Sequence, residues 1–247
     1  MRLMQGDCLE RMKEIESGSV DMILTDPPYG TTACKWDTVI PLEPMWKQLK
    51  RVIKLNGAIV MTASQPFTTV LGASNMPMLK YNWGWQKSRP SGHMNAKKAP
   101  LRDLEDVLVF YSKQPTYNPQ GTTPCHVAKV NTPNRIKNGT TYGKVGNAPE
   151  VHMQKQTNYP RQVLGFKSPH NVGAYHPTQK PVALMEYLIK TYTNEGETVL
   201  DFAMGSGTTG VACANLNRDF IGIEKDPDIF NTAKSRIENH IVQTRLL

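Results

Sequence analysis

Apolar and polar positions along the chain alternate in blocks that predict short strands separated by amphipathic helices. Val20-Asp21-Met22-Ile23-Leu24 is an apolar run of strand length, and Thr25-Asp26-Pro27-Pro28-Tyr29-Gly30 stops it abruptly, because neither proline can donate to a sheet ladder. Upstream, Leu9, Met12 and Ile15 give a rough helical stripe that Ser17-Gly18 ends, so residues 1–30 read as strand, helix, strand. Asp7 falls just past the first strand, where capping the helix is the commoner role for an Asp. The loop from Gly30 to Pro41 carries Lys35, Trp36 and Asp37 and is placed to close over whatever Asp26 holds. A helix is expected over about 43–54, with Met45, Trp46, Leu49, Val52 and Ile53 on one face. Asn56-Gly57 should end it, and Ala58-Ile59-Val60-Met61 should form the next strand. Trp83 and Trp85 belong to a strand leading into a basic run, and Asp106–Tyr111 has the β-branched and aromatic content of another.

The periodicity fades from Ser112 to Tyr175, a stretch rich in Pro, Gly, Asn, Thr and Lys. Such composition fits disorder, above all over 120–160, or an inserted lobe whose loops order on a partner. Regular structure resumes at His176-Pro177-Thr178-Gln179-Lys180-Pro181, followed by a helical face of Leu184, Met185, Leu188, Ile189 and Tyr192. A strand over Thr198–Phe202, a glycine loop, a small-residue helix, a strand ending on Glu224 and a helix from Pro227 complete the chain. The alternation predicts an α/β fold with a mostly parallel central sheet.

At 39% hydrophobic and 20% charged, the 247 residues have an ordinary globular composition. The first residues lack the apolar core of a signal peptide and no run reaches membrane-span length, so a cytoplasmic protein without membrane association is expected. Cys8, Cys34, Cys125 and Cys213 lie far apart, which indicates neither a metal site nor a disulfide frame. The net charge of +8 is segregated: residues 112–175 hold eight Lys/Arg against one acid, Glu150. Residues 80–102 add six bases and no acid. Charge gathered in this way favours a polyanion over a merely solvated face.

Two strand ends carry candidate chemistry. Asp26 offers a carboxylate, Pro27 a carbonyl and Tyr29 a ring in fixed relation, which suits a planar ring bearing an amine; alone, the motif also fits a rigid turn. Gly205-Ser206-Gly207-Thr208-Thr209-Gly210 matches Gly-x-Gly-x-x-Gly between a strand and a helix, with Glu224 closing the next strand. An NAD-dependent oxidoreductase has this arrangement. However, only 37 residues follow Gly210, whereas a dinucleotide fold needs several strands after the loop. Here the other strands come first, so the sheet is built in permuted order.

Asp26-Pro27-Pro28-Tyr29 together with Asp201-Phe202-Ala203-Met204-Gly205-Ser206-Gly207 resembles the S-adenosylmethionine-dependent amino-group DNA methyltransferases. The order of catalytic motif, basic segment and cofactor loop is similar to their β-type arrangement. The resemblance covers about 1–115 and 170–240. It implies a Rossmann-like methyltransferase core over 1–111 and 176–247, with a basic target-recognition insertion at 112–175. It further implies that Asp201, Phe202, Gly205, Ser206, Gly207 and Thr208 line the methionine and ribose part of the cofactor. Glu224, beside Lys225, would take the ribose hydroxyls, Asp7 the adenine amine, and Lys180 the cofactor carboxylate.

Asp26 and the Pro27 carbonyl would accept the two amine hydrogens and favour the pyramidal nitrogen that attacks the methyl group, while Tyr29 stacks on an extruded base. Asp at the first motif position favours adenine N6 over cytosine N4. The alternatives are N4-cytosine methylation, an RNA adenine substrate, an NAD enzyme, or a binding module without turnover. Double-stranded DNA is the expected partner, with Lys87, Arg89, Lys97, Lys98, Arg135, Lys137 and Arg161 against it. A homodimer and a cognate restriction enzyme both fit the resemblance, and the sequence decides neither.

Overall fold

The chain opens with β1 (Arg2–Gln5), a single helical turn α1 (Cys8–Arg11) and β2 (Val20–Thr25). Then come α2 (Leu42–Val52), β3 (Ile53–Ala63), α3 (Phe67–Ser74), β4 (Leu79–Ser91) and β5 (Arg102–Phe110). After β6 (Thr123–Asn131) and β7 (His152–Thr157), β8 (Val163–Phe166) leads to α4 (Val182–Tyr192), β9 (Thr198–Asp201), α5 (Thr208–Asn215), β10 (Asp219–Glu224) and α6 (Pro227–Arg245). This computed structural model describes residues 1–32, 34, 37–131, 152–168 and 179–245. Lys35, Trp36, Arg135, Lys137 and His176–Thr178 lie outside the described residues.

Eight strands form one sheet in the order β1, β10, β9, β2, β3, β5, β4, β8. All neighbours are parallel except at β5, which runs against both β3 and β4. Both faces are covered, which explains why Met22, Ile23 and Leu24 of β2 are apolar in succession rather than alternating. Ile23, Ile59 and Phe110 pack on one face with Met12, Leu49 and Phe67 from the helical segments before and after β2 and β3. Met22, Leu24, Val60 and Val109 pack on the other with Leu188, Val211 and Ile237 from α4, α5 and α6. Each such large apolar side chain contributes about 1.5–3 kcal/mol on burial.

Local signals err where tertiary contacts override them. Helix α2 ends at Val52 and passes directly into β3, so Asn56-Gly57 lies within a strand rather than ending a helix. The strand needs glycine there: a Cβ on Gly57 would stand 2.7 Å from the Asp21 carbonyl. The register between β2 and β3 shifts at this point. Helix α3 had no clear signal in the sequence; Phe67 and Leu71 hold it against the core.

Residues Pro119–Arg161 form a separate compact unit, narrower than the 112–175 insertion expected from composition. The difference at its far end is β8, which pairs parallel with β4 from Gly84 to Lys87 and so belongs to the main sheet. Within the small unit, β6 and β7 pair antiparallel, Asn158 Nδ2 donates to the Gly121 carbonyl at 2.7 Å, and Cys125 lies on β6.

Candidate active site

The parallel order brings the carboxyl ends of β1, β10, β9, β2 and β3 to one edge, the side on which open α/β sheets take ligands. The two motifs meet there through side chains. Thr25 Oγ1, at the end of β2, donates to Asp201 Oδ1 at the end of β9 over 2.7 Å. Thr209 Oγ1 donates to Asp201 Oδ2 at 2.6 Å, and the Ala203 N–H adds 3.2 Å. Asp201 is buried, and burial is the largest cause raising its pKa to about 6, partly offset by the Thr209 and Thr25 hydroxyls and the Ala203 amide. Its side chain therefore ties strand ends together instead of lining an open cofactor site. Phe202 likewise packs inside the core rather than on the edge.

Asp26 stands just past β2 and is half-buried. Tyr29 Oη donates to Asp26 Oδ1 at 2.6 Å, and Thr62 Oγ1, near the end of β3, donates to the same oxygen. The Tyr29 ring is stacked on Phe67, with centroids 5.4 Å apart, and its hydroxyl is committed, so it is not the unencumbered platform for a base that the motif suggested. Burial first, and Asp26 second, hold the Tyr29 hydroxyl well above the usual tyrosine pKa. Beyond the motif, Asp37 accepts the N–H groups of Gly30, Thr31 and Thr32 at 2.8, 2.9 and 2.7 Å. Burial opposes the Asp37 charge, but Thr32 and the three amides outweigh it and lower the pKa.

Lys180 lies inside this site. Its Nζ is 2.7 Å from Asp26 Oδ2 and 3.4 Å from Glu105 Oε2, with the side chain 8% exposed. Desolvation works against its charge, yet Asp26, Tyr29 and Glu105 together hold the pKa well above the ordinary lysine value. The expected partner was a cofactor carboxylate; the protein's own carboxylates fill that place here. Lys87, expected against phosphate, instead pairs with Glu105 Oε1 at 3.0 Å and is only 12% exposed. Arg89, Lys97 and Lys98 do stand exposed on and beyond β4, and Arg161 is exposed in the small unit.

In the glycine loop, Gly205 has φ +49° and Gly207 φ +80°, conformations that favour glycine. A Cβ on Gly205 would meet nothing within 4 Å, so the loop opens outward there, whereas one on Gly207 would strike Ile237 at 2.9 Å. Glu224 Oε2 accepts from the Gly205 N–H at 3.0 Å, which holds the loop to the end of β10. Ser206 and Thr208 are buried and turned away from the opening: Arg236 on α6 donates to Ser206 Oγ at 3.2 Å and Thr208 Oγ1 at 3.1 Å. Asp7 caps α1 by accepting the Leu9 N–H at 3.0 Å, and its other oxygen lies 3.4 Å from Lys225 Nζ.

Thr62, Phe67, Glu105 and Arg236 are thus part of the site's construction and carry no motif. Among the described residues, no group of three His, Cys, Asp or Glu could hold a metal ion, and no helix is long and apolar enough to cross a membrane.

The model of the N6/N4 family described as DNA methylase matches residues 20–235. Type II methyltransferase M.HpaI of Haemophilus parainfluenzae is 28% identical over 96% of this chain and 74% of its own length. DNA adenine methyltransferase YhdJ of Escherichia coli (strain K12) is 29% identical, covering 96% and 82%. The crystal structure of the M1.HpyAVI–SAM complex superposes with a TM-score of 0.64 at 28% identity, over 95% of this chain and 98% of that one.

Proposed function

The chain belongs to the N6/N4 DNA methylase family, and on that premise we propose that it methylates the N6 amino group of adenine in a short sequence of double-stranded DNA. The observation that carries the reading is the meeting of two strand ends: Asp26 in a site of donors, joined through Thr25 and Asp201 to an outward-opening glycine loop.

S-adenosylmethionine, when bound, supplies a methyl group on a sulfonium as the electrophile. The residues fit such a group: Gly205 leaves open space, and Glu224, Asp7 and Lys225 bring polar side chains to the ends of β1 and β10. Glu224 would take the ribose hydroxyls, Asp7 the adenine amine, and the backbone of Gly205 and Gly207 the methionine end. Asp201, Phe202, Ser206 and Thr208 support that loop from behind.

A count of lone pairs supports a position for the target amine. Tyr29 and Thr62 occupy Asp26 Oδ1, and Lys180 takes one position on Oδ2. A carboxylate oxygen accepts two bonds, so Oδ2 keeps one for an amine N–H, with the Pro27 carbonyl for the other. Aimed acceptors of this kind stabilise positive charge as it develops on the nitrogen. Methylation of the amine, with the sulfonium S–C bond broken to leave a neutral thioether, requires the loss of one amine proton, and Asp26 Oδ2 would be the acceptor beside it. The base has to leave the duplex to reach this depth.

The basic unit at 119–161 reads the flanking sequence in this account, with Arg89, Lys97 and Lys98 on phosphates. A cytoplasmic location beside the chromosome belongs to the same reading. The type II relatives favour a cognate restriction enzyme, and a neighbouring endonuclease gene blocked by this methylation would test that; solution mass separates monomer from homodimer.

Labelled S-adenosylmethionine with duplex DNA should place label on N6-methyladenine. Label only on N4-methylcytosine would overturn the choice of base, and transfer only to RNA would overturn the substrate. S-adenosylhomocysteine should raise Tm and NAD should not.

A further inference from the structure

We propose that Glu105 is a positioning residue of the methyl transfer: held between Lys87 and Lys180, it balances the Lys180 ammonium so that Asp26 faces the amine as an effective negative charge. The inference rests on Asp26 being the amine acceptor.

Four charges alternate through the site. Asp26 Oδ2 is 2.7 Å from Lys180 Nζ, Lys180 Nζ is 3.4 Å from Glu105 Oε2, and Glu105 Oε1 is 3.0 Å from Lys87 Nζ. They come from separate segments: the end of β2, the lead into α4, the start of β5 and the middle of β4. Glu105 is 15% exposed, and its Oε2, with no hydrogen-bond partner among the described residues, has the Lys180 ammonium at 3.4 Å as its counter-charge. An ammonium and carboxylates enclosed together depend on one another for compensation, so the charge of Lys180 is tied to that of Glu105.

Lys180, in direct contact with Asp26, cancels much of the field that Asp26 exerts on a nitrogen becoming positive. Glu105 cancels Lys180 in turn, and Lys87 closes the series on the far side of Glu105. Seen from the amine, the series runs negative, positive, negative, positive with distance, and the nearest charge dominates. Without Glu105 it runs negative, positive, positive, and the negative field at the amine is weakened. Among the described residues, the other groups facing Asp26 are the Tyr29 and Thr62 hydroxyls, and Asp201 beyond Thr25; none of these replaces the charge on Glu105.

The test uses Glu105→Gln, Lys87→Gln and the double variant in the full chain. In Glu105→Gln, kcat should fall roughly tenfold to a hundredfold, with KM for S-adenosylmethionine and for DNA within about threefold. The acid limb of kcat should move to lower pH in Glu105→Gln and to higher pH in Lys87→Gln, because the first change leaves an extra positive charge and the second an extra negative one. The double variant, again balanced, should regain activity over Glu105→Gln. The 15N–1H signal of the Lys180 ammonium in the ligand-free protein should be visible in the wild type and broaden in Glu105→Gln.

A Glu105→Gln enzyme with kcat within about twofold of wild type overturns the proposal, as do acid limbs moving the same way or a double variant no better than the single. An unchanged Lys180 signal also overturns it. Should Glu105→Gln fail to fold, the Lys87→Gln limb decides: upward movement supports the role and an unmoved limb ends it. A wild type that transfers no methyl to DNA defeats the functional reading as well, whereas an active wild type with an unaffected Glu105→Gln defeats this inference alone.

Discussion

Asp26 and Asp201 occupy the same place in neighbouring parallel strands, one residue beyond β2 and the last residue of β9, and they do opposite things. Asp26 is half-buried and meets a lysine and a tyrosine hydroxyl, and it is the carboxylate proposed above to accept the target amine. Asp201 is enclosed, meets two threonine hydroxyls and an amide, and has no cation paired with it among the described residues. Position at a strand end therefore supplies a candidate but not a role. What separates the proposed catalyst from the brace is the company each carboxylate keeps, and that comes from distant parts of the chain.

The difference can be broken most forcefully at Asp26. Asp26→Ala should lower kcat by about 10³-fold while DNA affinity in a gel-shift titration stays within a few-fold. At Asp201 the expected change is in stability. Its folded-state pKa lies near 6, above the 3.8 of an unfolded carboxyl, so the folded protein binds the proton more tightly. The stabilisation is complete below the unfolded value and is lost as pH rises through about 6, on the order of 2–3 kcal/mol. Denaturant titrations of Asp201→Asn should show this fall between those two values flattened.

Thr209→Val removes one donor from the enclosed carboxylate and should cost about 1–3 kcal/mol by the same titrations, with the Asp201 charge harder still to hold. The smallest effect belongs to Asp37→Asn, about 1 kcal/mol for the weakened hold on three amides. Because the Asp37 pKa is lowered, its contribution is present above the unfolded value of 3.8 and is lost as pH falls through the lower folded value. The variant should therefore show less acid destabilisation than the wild type in thermal melts.

Much of this fold was legible because its signals are local. The apolar run into Asp26, the helical faces of α2 and α4, and the glycines at 205 and 207 each report their own backbone. The partners were not legible. Nothing around Glu105 or Thr62 marks them as neighbours of Asp26, since strand pairing across long separations brings them there. Lys87 read as a surface cation because composition cannot see that β5 places a carboxylate beside it. The edge of the small unit was misjudged because β8 has four residues, one of them glycine, too short to stand out from its polar surroundings. Asp7 is the reverse case, where the ordinary capping role weighed beside the cofactor role is the one the helix uses.

The direction of β5 has a further consequence. In a wholly parallel sheet, every connection that leaves the ligand-bearing edge must travel back across a face before the next strand begins. By turning round instead, the chain lets β4 and β5 share a ribbon whose tip, residues 92–101, projects past the ends of the other strands with Lys97 and Lys98 in the open. One reversed strand thus gives the enzyme a grasping finger on the same side as its reacting groups.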